Sequence, residues 1–195
     1  MFTHIETAYN SNVDLNHWRS CYHQIIELLR KELNNINFNQ QQQTNVKLKE
    51  QISKQISAYI DEGHLFFSNI IKNLEEKYLK FSIQHLIDLN YFERLINKKL
   101  SQSDTTIKTK DIKIALICAN RCLISIGDLC RYKEMIFNSS SLSASALSKE
   151  NQPSDFNAKN DASYQRDYST ARSYYLKAAA VAPKSSRVNF IFIFF

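Results

Sequence analysis

Arg121, Ser125, Asp128 and Tyr132 recur at steps of three or four residues, with Arg131 beside them. On a helix turning about 100° per residue they share one polar face, Arg131 at its edge, opposite an apolar face of Cys122, Ile126 and Cys130. A polar face on an otherwise buried helix needs either solvent in a groove or internal partners. A guanidinium fork suits carboxylate and phosphate oxygens equally, and on these residues alone both readings stay open. Arg131 is as well placed for a structural salt bridge with Asp128 or Glu134 as for an external anion, and Asp128 is suited to orient Arg131 or Arg121. Tyr132, taken alone, is a residue type more often packed than ligand-binding.

Other chemistry is poorly supplied. Cys118 and Cys122 stand at i and i+4, a spacing that can bind metal, but no nearby second pair of Cys or His completes a tetrahedral zinc site, so packing is the expectation. Glu27, Asp61 and Glu62 form no acid/base pair, and no Ser-His-Asp arrangement has a supporting motif. Neither a catalytic residue, a metal nor a cofactor is expected.

The elements that must position these residues are helices. From Asp14 to Leu33, apolar residues at Leu15, Trp18, Tyr22, Ile25, Ile26, Leu29 and Leu33 form an amphipathic stripe, with Asp14 or Asn12 as a candidate cap. Asn34 to Thr44, with its four consecutive glutamines, reads as a solvated loop. A second helix is expected from Val46 to Tyr78, with Gly63 inside it marking close packing or a kink. Ile83 to Leu100 is apolar and helical in character. Lys108 to Met135 carries the clearest stripe: Ile112, Ala115, Leu116, Ala119, Cys122, Leu123, Ile126 and Cys130. A Ser/Ala/Asn-rich insert to about Ser163 reads as a loop, and a last helix, Tyr168 to Ala182, ends before Pro183.

Composition agrees. The 195 residues include only 2 Gly and 2 Pro, too few for the turns of a β or α/β chain or for a Gly-rich phosphate cradle. The net charge of +6 favours anionic partners, but it is spread over all the helices rather than gathered in a nucleic-acid stripe. Four cysteines without a paired framework, and no signal peptide at Met1-Phe2-Thr3-His4, fit a reducing intracellular compartment. The terminal run Phe190 to Phe195 is too short to span a bilayer, so no membrane partner is expected.

The stretch Ala119-Asn120-Arg121-Cys122-Leu123-Ile124-Ser125-Ile126-Gly127-Asp128-Leu129-Cys130-Arg131-Tyr132-Lys133-Glu134 resembles the Gly-Asp-x-x-Arg-Tyr helix of the SMG five/six/seven family of nonsense-mediated mRNA decay factors. That family includes the yeast telomerase-recruiting subunit. Three further blocks agree in order: Trp18 to Glu27, Asp61-Glu62-Gly63-His64-Leu65-Phe66-Phe67, and Ala171-Arg172-Ser173-Tyr174-Tyr175-Leu176-Lys177-Ala178. The set is most similar to the SMG-six branch, over roughly Ile5 to Arg187 apart from the low-complexity loops.

The resemblance implies an all-α, 14-3-3-like domain: a tetratricopeptide-type antiparallel helical array, here incomplete at both ends. It implies a partial domain over residues 1–187, with loops at about 34–45 and 138–163, and a non-native tail at 188–195. The tail reads as translated intron, since Val188-Asn189 can be encoded by a splice-donor-like GTAAAT. The family continues with Pro-Tyr-Asn-Gln-Leu-Ala at that point, so an Asn matching a peptide-binding residue of 14-3-3 proteins is lost.

The implied function is phosphoserine or phosphothreonine peptide binding, with the phosphorylated up-frameshift RNA helicase as partner and other SMG proteins as further partners. The nuclease of the SMG-six branch lies in a separate PIN domain that this chain lacks. By the same resemblance, Arg131 and Tyr132 match the phosphate-holding Arg-Tyr pair of 14-3-3 proteins and Arg30 a second arginine. His23 stands where a Lys is usual, and Asp128 and Arg121 would support the set. Arg30 lies seven residues beyond His23, about two turns along one face. The blander readings are a dipole-compatible surface charge for Arg30 and a neutral imidazole for His23. Two other functions stay open: a phosphate-independent helical scaffold, and a telomerase-associated module that binds telomeric DNA or RNA. The expected location is cytoplasmic and nuclear.

Overall fold

The computed structural model describes residues 4–38, 44–79, 81–83, 109–147 and 167–182. Among them there is no strand, so the fold is the expected all-α helical array. Helix α1 spans Ile5–Asn10 and α2 spans Val13–His17; a π-helical turn, Trp18–His23, leads directly into α3, Gln24–Phe38. Helix α4 spans Thr44–Leu74 and closes in a second π turn, Glu75–Leu79. Helix α5 is Thr109–Leu147 and α6 is Ser169–Val181. No helix among the described residues is long and apolar enough to cross a membrane.

The first π turn follows from side-chain spacing. Asp14, Trp18, Tyr22 and Ile26 are each four residues apart and all turn inward. In an ideal helix each step of four overshoots a full turn by about 40°, so three steps would carry Ile26 about 120° off the core side. One residue of π-helical surplus, worth about 100°, cancels that drift. The expected helix from Asp14 to Leu33 is therefore one continuous rod with a wide turn inside it. It begins one residue earlier, at Val13, after an N-cap Asn12 in the left-handed region (φ 49°) whose side chain makes no capping bond.

Two expected loops are shorter than the sequence suggested. Residues 34–38 and 44–45, assigned to the first loop, are helical, and so are residues 138–147 of the Ser/Ala-rich insert. None of these stretches contains Gly or Pro, and extending an already nucleated helix adds a backbone hydrogen bond per residue. The stretch Ile83 to Leu100 beyond Ile83, the remainder of the insert and the tail 188–195 lie outside the described residues.

Helix α5 is central, touching α1, α2, α4, the second π turn and α6. Glu6 pairs with Lys110, Asp14 with Arg121, and His23 lies against Tyr132, so α1 and the α2–α3 rod that follows it run parallel to α5. Asp61 pairs with Lys133 while Gly63 meets Leu129, so α4 runs antiparallel to it. Helix α6 is also antiparallel: Tyr175 meets Gly127, and the buried Asn120 Nδ2 donates to the Ala178 carbonyl at 2.7 Å. The same carbonyl accepts the Ala182 N–H at 3.1 Å, so Asn120 takes its second lone pair and ties the last turn of α6 to α5.

Both glycines lie at helix crossings. A β-carbon on Gly63 would come within 2.9 Å of the Tyr22 ring and 3.0 Å of a Leu129 methyl. On Gly127 it would come within 2.5 Å of the Tyr175 ring. Close packing, the first of the two roles expected for Gly63, is thus the role both glycines have. In an exposed helix Gly→Ala gains about 1 kcal/mol. Here Gly127→Ala should instead lose roughly 1–3 kcal/mol, because the ring that must give way is only 2% exposed. Urea denaturation of the two proteins checks this; an unchanged or higher midpoint would show that α6 shifts freely.

Candidate functional site

The polar face of α5 does not open on a solvent groove along its length. Tyr132 is 3% exposed and belongs to the core, Ser125 is buried with its hydroxyl on the Arg121 carbonyl at 3.1 Å, and the remaining polar groups have internal partners. Of the two ways to satisfy such a face, solvent in a groove or internal partners, the fold uses internal partners. Helix α5 has neighbours on nearly every side, so spacing alone cannot separate a wet face from one packed against a second helix.

Arg121 and Asp14 form a pair of their own. Arg121 Nη1 lies 3.2 Å from Asp14 Oδ1, with side chains 17% and 4% exposed, and the guanidinium sits 4.8 Å from the Tyr9 ring centroid. Arg121 therefore ties the α1–α2 entry to α5 and is not held by Asp128. Asp14, read as a candidate cap, lies inside α2 as the buried counter-ion.

His23, Arg30, Arg131 and Tyr132 do come together, from the α2–α3 rod and α5. The Tyr132 ring is the common floor. The Arg131 guanidinium is 5.0 Å from its centroid, the Arg30 guanidinium 5.9 Å, and the His23 ring 6.4 Å away at an edge-on 62°. The Arg30 and Arg131 side chains are 29% and 34% exposed, so both reach the surface while the ring beneath them does not.

Each arginine is oriented by a carboxylate. Arg30 Nη1 donates to Glu27 Oε1 at 3.1 Å, and Arg131 Nη2 to Asp128 Oδ1 at 3.4 Å. A guanidinium has five N–H donors, so neither pairing exhausts it. Burial, then the neighbouring Glu27 carboxylate, push the Tyr132 phenol up to about 12. The phenol stays a proton donor at any ordinary pH. Burial raises the Asp128 carboxyl above the usual range, against the opposing pull of Tyr175, Arg131 and His23.

Glu27 and Tyr175 are the members that sequence reasoning missed. Glu27 was weighed only as a general acid. Tyr175 Oη donates to Asp128 Oδ1 at 2.8 Å and also interacts with Arg131. Its only signal was its place in a quoted block.

The cysteines offer no ligand set. Cys118 and Cys122 are buried, and burial pushes the Cys118 thiol up to about 12 and Cys122 well above its ordinary value. Such thiols act as small apolar groups. Among the described residues no cluster of His, Cys, Asp and Glu is arranged to hold a metal.

Residues 12–137 match the family model described as "Telomerase activating protein Est1". The chain is 27% identical over 187 residues to "Telomerase-binding protein EST1A" of Danio rerio, a match covering 96% of this chain and 9% of the relative. It is 28% identical over 135 residues to "Nonsense-mediated mRNA decay factor SMG7" of Arabidopsis thaliana, covering 69% of this chain and 10% of that relative. The chain thus spans about a tenth of the length of these curated relatives. No solved structure matches it.

Arg121→Met should destabilise the fold by on the order of 3 kcal/mol, since Asp14 is left buried without its counter-ion. Asp14→Leu combined with Arg121→Met should recover much of that loss, because the uncompensated charge is gone. A double-mutant cycle by chemical denaturation tests this, and strictly additive losses would show that the pair is not coupled.

Proposed function

Since this chain belongs to the telomerase activating protein Est1 family, we propose that it is a 14-3-3-like, phosphopeptide-binding module of an RNA-decay factor of the SMG-six type. The observation that carries the proposal is the meeting of Arg30, Arg131 and His23 over the Tyr132 ring, at a point where two guanidinium groups from different helices reach solvent. A phosphate dianion seated there would take N–H donors that the carboxylates leave unused. Tyr132 acts as floor and spacer, its phenol keeping its proton beside Glu27. The module binds and carries out no chemical step.

The partner proposed is the phosphorylated up-frameshift RNA helicase, with other SMG proteins beside it, in cytoplasm and nucleus. The decay and telomerase roles in the relatives' names support a place in one of those two pathways. A second reading, a phosphate-independent scaffold, is favoured by one specific feature: Glu27 and Asp128 already balance the charge of both arginines. A phosphate must then compete for donors that are partly engaged.

A binding titration with one helicase-derived peptide, phosphorylated and unphosphorylated, separates the two. The phosphorylated form should bind roughly ten- to a hundredfold tighter, as expected for charge-assisted bonds of about 1.5–3 kcal/mol. Arg131→Lys should weaken that ratio by losing the fork, Arg131→Glu should abolish it, and His23→Ala should reduce it least. Equal binding of both forms by the wild type would leave the plain scaffold.

A further inference from the structure

Helix α6 contributes no cation to the site, yet one of its side chains reaches into the centre. Tyr175 is 2% exposed, its ring lies against the bare backbone of Gly127, and its oxygen donates to Asp128, the carboxylate that holds Arg131. Gly127 and Asp128 are adjacent on α5, so ring contact and hydrogen bond belong to one docking event. The phenol reaches Asp128 because no β-carbon holds the ring away.

The three polar groups divide the work. Asp128 sits 3.4 Å from Arg131 and 2.8 Å from Tyr175 through the same oxygen, Oδ1. By donating to that oxygen, Tyr175 satisfies part of a carboxylate that would otherwise bear entirely on Arg131. Arg131 Nη1 lies 4.0 Å from Met135 Sδ, which holds the guanidinium from a second direction. An arginine fixed on two sides is preorganised, and its outward donors are the ones left for a ligand. Asp128 also faces His23, so the inner carboxylate looks toward the α3 side of the site as well as toward Arg131.

We infer that Tyr175 is a positioning residue that makes the Arg131 site conditional on the seating of α6: the site grips phosphate when α6 is docked, and an occupied site in turn holds α6 down. This rests on the phosphate reading of the site. The reciprocity is thermodynamic, since whatever seating contributes to ligand affinity, ligand contributes equally to seating. Helix α6 is suited to this part. It is short, Ser169–Val181, and apart from Tyr175 it is seated by the small buried side chains Ala171, Ala178 and Val181, the Asn120 bond, and the Tyr174 hydroxyl 3.1 Å from His64 Nε2 on α4.

Tyr175→Phe keeps the ring against Gly127 and removes only the oxygen. In the full chain, hydrogen exchange of α6 amides without peptide should stay near wild type, showing the helix still seated. The phosphorylated-to-unphosphorylated affinity ratio should fall roughly three- to tenfold, with binding of the unphosphorylated peptide unchanged. The Arg131 Hε proton, followed by NMR in the free protein, should exchange with water several-fold faster. Adding the phosphorylated peptide to wild type should slow α6 amide exchange, and adding the unphosphorylated form should not.

If the wild type prefers the phosphorylated peptide and Tyr175→Phe keeps the full ratio, the coupling is wrong while the site reading stands. Equal loss of affinity for both peptides would reduce Tyr175 to a structural role and also overturns the inference. If the wild type shows no phosphate preference, the site reading fails. Unaltered Arg131 Hε exchange in Tyr175→Phe would then overturn the positioning role on its own.

Discussion

The ring of Tyr175 occupies the space a β-carbon on Gly127 would need, and much of the molecule's arrangement depends on that contact. It sets how closely α6 approaches α5, and so whether Asn120 can reach the Ala178 carbonyl and the phenol can reach Asp128. The crossing at Gly63 repeats the device with Tyr22, from the opposite partner helix. The chain has 2 glycines, and each lets a tyrosine ring approach helix backbone where a β-carbon would collide with it. A flexible residue inside a helix costs stability, which close interhelical packing offsets.

The long helices were legible because each has an apolar stripe at helical spacing. Gly63 was legible as a packing position because the apolar pattern runs on through it. The helix ends were harder. Polar residues such as Asn34 or Ser139 to Ser141 look like loop but do not terminate a helix, since they neither lack an N–H nor demand unusual backbone angles. The inward steps Asp14, Trp18, Tyr22 and Ile26 were on view, yet only the fold shows that their drift is absorbed within the backbone. Ion-pair partners were the least legible. Arg121 has Asp128 seven residues along its own helix, but its counter-ion is Asp14, 107 residues away in sequence. A one-dimensional pattern shows which side chains share a face and is silent on what that face meets.

The proposed site has an unusual balance of charge. Its cations are not a bare positive patch but two arginines, each steered by an acid on its own helix, over a buried tyrosine that neighbours one of those same acids, Glu27. In a partly buried setting this keeps the cations from repelling one another and limits the attraction for arbitrary anions. What remains is geometry: two forks of defined orientation about one ring. Selectivity for a compact, doubly charged group with several acceptor oxygens follows more readily from such an arrangement than from net charge.

The π turn at Trp18–His23 has a consequence for comparing this chain with others. A π turn is equivalent to one residue inserted into a regular helix, with the segments before and after it keeping their faces. A homologue shorter by one residue between Trp18 and Tyr22 would run as uninterrupted α-helix, with both Asp14 and Arg30 facing as they do here. In an alignment such a difference would show as a gap in the middle of a helix, where gaps are usually taken for error. Here the gap would be a true record of descent, and shifting it to a loop to tidy the alignment would misassign every residue from the shift to the π turn.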